Sequence, residues 1–182
     1  MSLKKMTQNK HSSAERSWFA KKMISGEVTK EQYSVYLKQQ YLCYSALEQR
    51  FEKNSHEDYH LPKELKRADK ILEDLNEIYP DHNDIEIFES TKSYEKYILE
   101  DCDEKLLYAH VYVRYLGDLK GGQMIAKRIP GSGKYYQFEN PEELEGFIRS
   151  KLNTEEEFKN ECNQCFQSAI NLFQDLQIHF EK

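Results

Sequence analysis

The sequence predicts an all-α protein folded as a single domain over residues 1–182, and three observations carry that expectation. Apolar and aromatic residues recur at spacings of three and four along the chain. No stretch shows the alternation of a half-buried strand, and no internal repeat appears. At 182 residues, 38% of them hydrophobic, the chain can bury one sizeable core.

Composition narrows the function classes. No apolar run approaches the 18 or so residues of a membrane span, and the N-terminal stretch lacks the apolar segment of a secretory signal. The chain reaches Lys182 without a hydrophobic tail, so a cytoplasmic protein is expected, or a plastid stromal one if this is a processed form. The net charge of −6 argues against nucleic acid as a partner. Charge is unevenly spread. Residues 1–30 hold seven Lys/Arg against two Glu, and residues 105–134 hold six against one Asp, so each is net +5 and the remainder −16. Two basic segments on an acidic protein suit an anionic ligand or partner, although solvated helix faces would look similar. Cys162-x-x-Cys165 has no second pair to complete a zinc or redox site, and reduced thiols are expected at all four cysteines.

In chain order, residues 4–24 read as one helix closed by Gly26 as a C-terminal cap. His11 and Glu15 share a face of it, a spacing at which a carboxylate can hold one imidazole nitrogen and leave the other for a metal. A lone histidine is more often a surface or core residue. Thr29-Lys30-Glu31-Gln32 is a capping box opening a helix to about Lys53, with Tyr33, Tyr36, Leu37, Tyr41, Tyr44, Ala46 and Leu47 on its buried side. A polar loop, Asn54–His60, follows. Leu61-Pro62 opens a third helix lined by Leu65, Ala68, Ile71, Leu72 and Leu75. Residues 79–84 form a turn in which turn chemistry explains His82. A fourth helix covers roughly Ser93–Asp101. Another runs from about Glu104 to before Pro130. Gly131-Ser132-Gly133-Lys134 resembles a phosphate loop, but Arg128 and Tyr135 stand where that motif needs Gly and Ser/Thr. Asn140-Pro141-Glu142-Glu143 reads as a capped helix start, carrying Phe147 and Arg149 to near Asn153. Thr154-Glu155-Glu156-Glu157 reads as a capping box for the last helix, whose inner stripe is Phe158, Cys162, Phe166, Ala169, Ile170 and Phe173.

The helix after Glu104 contains a contradiction. Leu106, Ala109, Val113, Leu116, Met124 and Ile125 keep helical spacing, yet Gly117, Gly121 and Gly122 lie inside the pattern. Each helix-interior glycine costs about 0.8–1 kcal/mol relative to alanine. Gly117 and Gly121 share a face, so a strip of backbone is bare, either for a flat ligand or for close helix packing or a kink. The string Tyr112-Val113-Arg114-Tyr115-Leu116-Gly117-Asp118-Leu119-Lys120-Gly121-Gly122-Gln123 closely resembles the signature helix of the haem oxygenases. His11-Ser12-Ser13-Ala14-Glu15 resembles the segment carrying their proximal haem ligand. The similarity extends from Lys4 to Leu176.

This resemblance implies a helical bundle with haem between the first helix and the glycine-kinked distal helix. It implies His11 as the proximal iron ligand with Glu15 behind it, and a catalytic set of Asp118, Tyr44, Arg114 and Gly117. Asp118 would supply protons with Tyr44 joined to it through water, although a surface ion pair is the simpler account of Arg114 and Asp118 at i and i+4. Haem contacts would come from Lys4, Ala14, Tyr112, Val113, Gly117, Gly121, Gly122, Arg149, Phe166 and Phe173, with Lys4, Tyr112 and Arg149 meeting the propionates. His110 would be structural. The implied reaction opens haem to biliverdin with O2, releasing CO and ferrous iron, with haem as both substrate and cofactor. Electrons must come from outside, since no flavin or nicotinamide motif is present, and the basic segments suit an acidic ferredoxin. A monomer is implied, with a downstream bilin reductase as a compatible partner. The chain departs from the family at Glu145, where a basic propionate-binding residue is common (Lys151 could compensate), and at Lys10, Ala169 and Val113. These departures bear on haem orientation. They also keep open a non-catalytic haem carrier, against which the retained Asp118 and Tyr44 argue. A scaffold relative acting on another small molecule is a third reading.

Overall fold

In the computed structural model, residues 2–54 and 56–181 are described, and every regular element among them is helical. Ser55, inside the expected polar loop, and the terminal Met1 and Lys182 lie outside the described residues.

The expected helix over 4–24 is divided into α1 (Leu3–Met6), α2 (Gln8–Glu15) and α3 (Trp18–Ser25). Both breaks have local causes. The buried Thr7 hydroxyl donates back to the Leu3 carbonyl at 3.0 Å. Ser17 turns extended and its side chain accepts the Ala20 N–H, starting a new helix. Gly26, at φ 79°, closes α3 as expected. The Thr29–Gln32 box forms in both directions, at 3.1 and 3.0 Å, and opens α4 (Lys30–Glu52). This 23-residue helix is the axis of the core, with Tyr33, Leu37, Tyr44 and Leu47 essentially without solvent contact.

The third helix, expected from Leu61-Pro62, starts later: α5 spans Ala68–Ile78, and residues 61–67 are irregular with a turn at 63–65. The buried Arg67 explains the delay. Its guanidinium folds back on the carbonyls of Glu64, Leu65 and Lys66 and reaches across to those of Tyr135 and Gln137. Glu48 of α4 then accepts the Ala68 N–H on both carboxylate oxygens, so the cap comes from another helix. After a short 3-10 turn at His82–Asp84, α6 runs Glu89–Lys96 and passes into a π turn at Tyr97–Asp101, starting sooner than expected.

The glycine-bearing run is helical but irregular. A 3-10 turn (Glu104–Leu106) leads into α7 (Leu107–His110), a π turn (Val111–Leu116) and α8 (Gly117–Ile125). The wide π turn abuts the first glycine, a placement common at functional sites. Residues 131–134 are pinned to α5: Glu77 takes the Ser132 N–H and hydroxyl, and Asp74 takes the Lys134 N–H. Those donors are used internally, in keeping with rejection of a phosphate loop.

Two helix starts differ from expectation. Before α9 (Pro141–Ser150), Asn140 sits left-handed at φ 54° and its side chain caps nothing. Before α10 (Glu156–Phe180), Glu155 rather than Thr154 is the capping residue, and no capping box forms. Instead Asn153 accepts the Glu155 N–H. α10 packs against α2, α3, α6 and α7, while α4 packs on α5 and α6. All four cysteines are buried free thiols. Among the described residues no helix is long and apolar enough to cross a membrane.

Candidate active-site cleft

A cavity of about 570 Å³ opens between α2–α3 and the π turn–α8 segment, backed by α4 and α10. That volume falls within the usual range of small-molecule sites. From α2 it receives His11, Ala14 and Glu15, and from α4 Tyr44. The distal run supplies Val113, Arg114, Gly117, Asp118, Gly121 and Gly122, and α10 supplies Phe166 and Phe173. A second opening of about 370 Å³ shares His11, Gly117, Gly121 and Phe166 and adds Lys4, Tyr112, Lys120 and Arg149. The residues singled out from the sequence are thus gathered around one continuous space, apolar in its main body and cationic at one end.

The three glycines are not equivalent. A Cβ on Gly117 or Gly121 would meet nothing within 4 Å, so these two present bare backbone to the cleft. A Cβ on Gly122 would lie 2.3 Å from the Tyr136 ring. Gly122 lines the cleft with the other two, and it is also required by packing against Tyr136. A flat ligand fits the strip that Gly117 and Gly121 leave.

On the α2 side, His11 Nε2 lies 3.3 Å from Glu15 Oε1, and the ring meets the Phe166 ring edge-on at 5.6 Å. Both partners remain well exposed, and His11 keeps a second ring nitrogen free of any protein partner among the described residues. An imidazole held by a carboxylate on one nitrogen is the donor that haem iron takes. The adjacent Lys10, an odd cation beside such a ligand, is engaged by Gln167 of α10.

Across the cleft, Asp118 is held by two phenols. Tyr44 donates directly to Oδ2, rather than through the water expected from the sequence, and Tyr135 donates to Oδ1 at 3.2 Å. Although Asp118 reaches the cleft surface, close protein packing pushes its carboxyl up to about 7, against the opposing pull of Tyr44, Tyr135, Arg67 and Arg114. A carboxyl titrating there can both hold and release a proton near neutrality. The simple ion pair between Arg114 and Asp118 does not form. Arg114 is buried, donates to the Tyr94 hydroxyl (3.0 Å) and to Gln40 Oε1 (3.4 Å), and stacks 4.1 Å over the Tyr94 ring.

At the cationic end, Glu145 joins Lys120 (2.7 Å) and Arg149 (3.2 Å). The departure at Glu145 therefore places a carboxylate between two cations. Lys151 does not compensate: its ammonium lies over the Tyr108 and Phe147 rings. Lys120 was not singled out from the sequence, although its position on the glycine-bearing helix could have suggested it. Tyr135 was also missed, and no local pattern marks it.

His110 lies outside the cleft. Its Nδ1 meets the Tyr94 hydroxyl and its Nε2 meets Glu161 Oε1, each at 2.7 Å, with Cys102 alongside. Burial would raise the Glu161 carboxyl, but hydrogen bonds from His110 and Tyr97 outweigh it and hold the group low. Cys102, His110 and Glu161 are all metal-ligand types, yet both imidazole nitrogens are already used.

Comparison with known proteins agrees with this geometry. The Heme oxygenase family model matches residues 1–175. Heme oxygenase 2 of Macaca fascicularis is 29% identical across 96% of this chain and 64% of its own length, so the chain spans about two thirds of that relative. Heme oxygenase 1 of Rattus norvegicus is 32% identical across 96% of this chain and 70% of its own. Among solved structures, heme oxygenase-1 from the cyanobacterium Synechocystis sp. PCC6803, in complex with heme, superposes with a TM-score of 0.84 at 25% identity, covering 97% of this chain and 91% of that one. With nearly its whole length matched and its fold shared, the chain belongs to the haem oxygenase family.

Proposed function

We propose that the protein is a haem-degrading oxygenase that opens haem to biliverdin with release of CO and iron, using O2 and electrons supplied from outside. One observation carries this reading: the imidazole of His11, the bare strip at Gly117 and Gly121, and the near-neutral carboxyl of Asp118 all border one cavity.

Bound haem supplies both the iron at which oxygen is reduced and the porphyrin edge that is oxidised. His11 would hold the iron, with Glu15 steadying its ring through the other nitrogen. Gly117 and Gly121 would let a porphyrin approach the backbone, and Phe166 and Phe173 would offer it apolar walls. Lys4, Tyr112, Lys120 and Arg149 form the end suited to propionates. Asp118 carries the proton that the reaction draws on, and Tyr44 fixes its Oδ2. Arg114 is linked through Gln40 to Tyr135, the second phenol on Asp118.

The electron donor is an acidic protein of ferredoxin type. Supporting this, Arg16, Lys21 and Lys22 line an open depression with Trp18, and Arg16 also borders the main cleft. The family resemblance is the support for a monomer whose bilin product would pass to a reductase.

Titration with haem, followed by reduced ferredoxin or ascorbate in air, tests the reading. Loss of the Soret band with appearance of a bilin is expected. A Soret band that forms and persists with both donors would instead establish a haem carrier, and absence of any Soret band would overturn haem binding itself.

A further inference from the structure

The hydrogen bonds behind Asp118 have a direction that the protein cannot reverse. A guanidinium only donates. Arg114 Nη1 faces Gln40 Oε1, so the carbonyl end of the Gln40 amide must point toward Arg114. Its amide nitrogen then faces the other way, where its two N–H groups reach the Tyr36 and Tyr135 hydroxyls, each at 3.1 Å. The Tyr135 oxygen is thereby an acceptor from Gln40, and its single proton goes on to Asp118 Oδ1. Turning that proton away would aim it at a Gln40 N–H. Tyr44 has no such constraint: its hydroxyl meets Asp118 Oδ2 and neighbours the Tyr135 hydroxyl, with no guanidinium or amide fixing its direction, so it can donate to Asp118 or accept from it.

We infer that Tyr135 is a positioning residue for Asp118, locked as a one-way donor to Oδ1 so that proton exchange is confined to Oδ2. This role rests on the oxygenase reading given above. It is built rigidly. Tyr135 has no solvent contact. Its N–H donates to Asp74 at 2.9 Å, its carbonyl accepts from Arg67 at 3.0 Å, and its ring stacks on Tyr136 at 4.2 Å.

The groups facing Asp118 come from several elements. α4 contributes Tyr33, Tyr36 and Tyr44, the turn at Lys134–Tyr136 contributes Tyr135 and Tyr136, and Arg67 stands before α5. Its own helical run adds Arg114 and Tyr115. Burial pushes every one of these phenols upward, so they stay neutral while Asp118 titrates. The two arginines remain charged throughout.

The test is a carbon-13 NMR titration of the Asp118 carboxyl in haem-free protein, with Asp118→Asn identifying its signal. Tyr135→Phe removes one donor to the ionised form and should move the midpoint upward by about one pH unit. Replacing Tyr135 by 3-fluorotyrosine keeps the shape, strengthens the donor and should move the midpoint downward. That second variant also decides the matter if Tyr135→Phe does not fold. In haem-loaded protein, Tyr135→Phe should keep the wild-type Soret titration, while the pH of half-maximal bilin formation rises in step with the carboxyl. A midpoint unmoved by the 135 replacements would overturn the inference, as would a bilin yield that falls with no change in pH profile. If wild-type protein makes no bilin, the oxygenase reading fails, and the haem-free titration reports on Tyr135 regardless.

Discussion

Two histidines in this molecule are each paired with a glutamate, and they have opposite fates. His110 and Glu161 meet at 2.7 Å with both side chains almost wholly buried, 2% and 6% exposed. His11 and Glu15 meet at 3.3 Å with 44% and 60% of their side chains exposed. The residue types are the same, so pairing does not decide which histidine can take a ligand. The second nitrogen decides it. In His110 that nitrogen is taken by Tyr94, whereas in His11 it is left free beside a cavity. The wider contrast is between an interior in which nearly every polar group is used, the buried Tyr33 hydroxyl being an exception, and a cleft in which selected groups are left unused.

Breaking the interior should cost most. Glu161→Ala strands His110 and should lower the unfolding free energy by about 3–5 kcal/mol, whereas Glu15→Ala should cost less than about 1 kcal/mol, both read by denaturant titration. The interior also sets a pH dependence. Burial pushes the Glu48 carboxyl up to about 7 from an ordinary 4.5. Its folded state therefore binds the proton more tightly, and the associated stability is present at low pH and lost as pH rises through 7. That loss amounts to about 3 kcal/mol, and Glu48→Gln should flatten the curve while keeping the Ala68 cap. Gly122→Ala forces a Cβ into the Tyr136 ring and should cost about 1–3 kcal/mol in a thermal melt. Gly117→Ala and Gly121→Ala sharpen the contrast with an opposite sign. Each should stabilise the haem-free protein by about 0.8–1 kcal/mol while weakening haem binding in a Soret titration. His11→Ala should change stability least, by less than about 1 kcal/mol, yet remove the iron–nitrogen signal from the resonance Raman spectrum of the haem complex.

Elements fixed by neighbours in the chain were legible from the sequence. The Thr29–Gln32 capping box and the left-handed Gly26 need only a few consecutive residues, and both form as read. The bare strip at Gly117 and Gly121 followed from helical spacing alone. Elements fixed from across the fold were not legible. Residues 61–67 looked helical until Arg67 and Glu48, brought in by tertiary packing, took the backbone groups that would have continued the helix. Asn140 and Thr154 had the right residue types for caps, but the approach of the chain put Asn140 in a left-handed conformation and moved the second helix start to Glu155. Tyr135 touches Asp118 from the far side of a glycine-containing turn, so only the closed fold brings its hydroxyl there.

The glycines that clear space in the cleft also determine how long α8 persists. Nine residues with three glycines make a helix that is poorly self-supporting, and its hydrogen bonds should open by local unfolding far more often than those of α4. A ligand seated on the bare strip binds only the closed helix and so lengthens its lifetime. Deuterium uptake across Gly117–Ile125 thus becomes an occupancy gauge for the cleft, readable without following any colour or product.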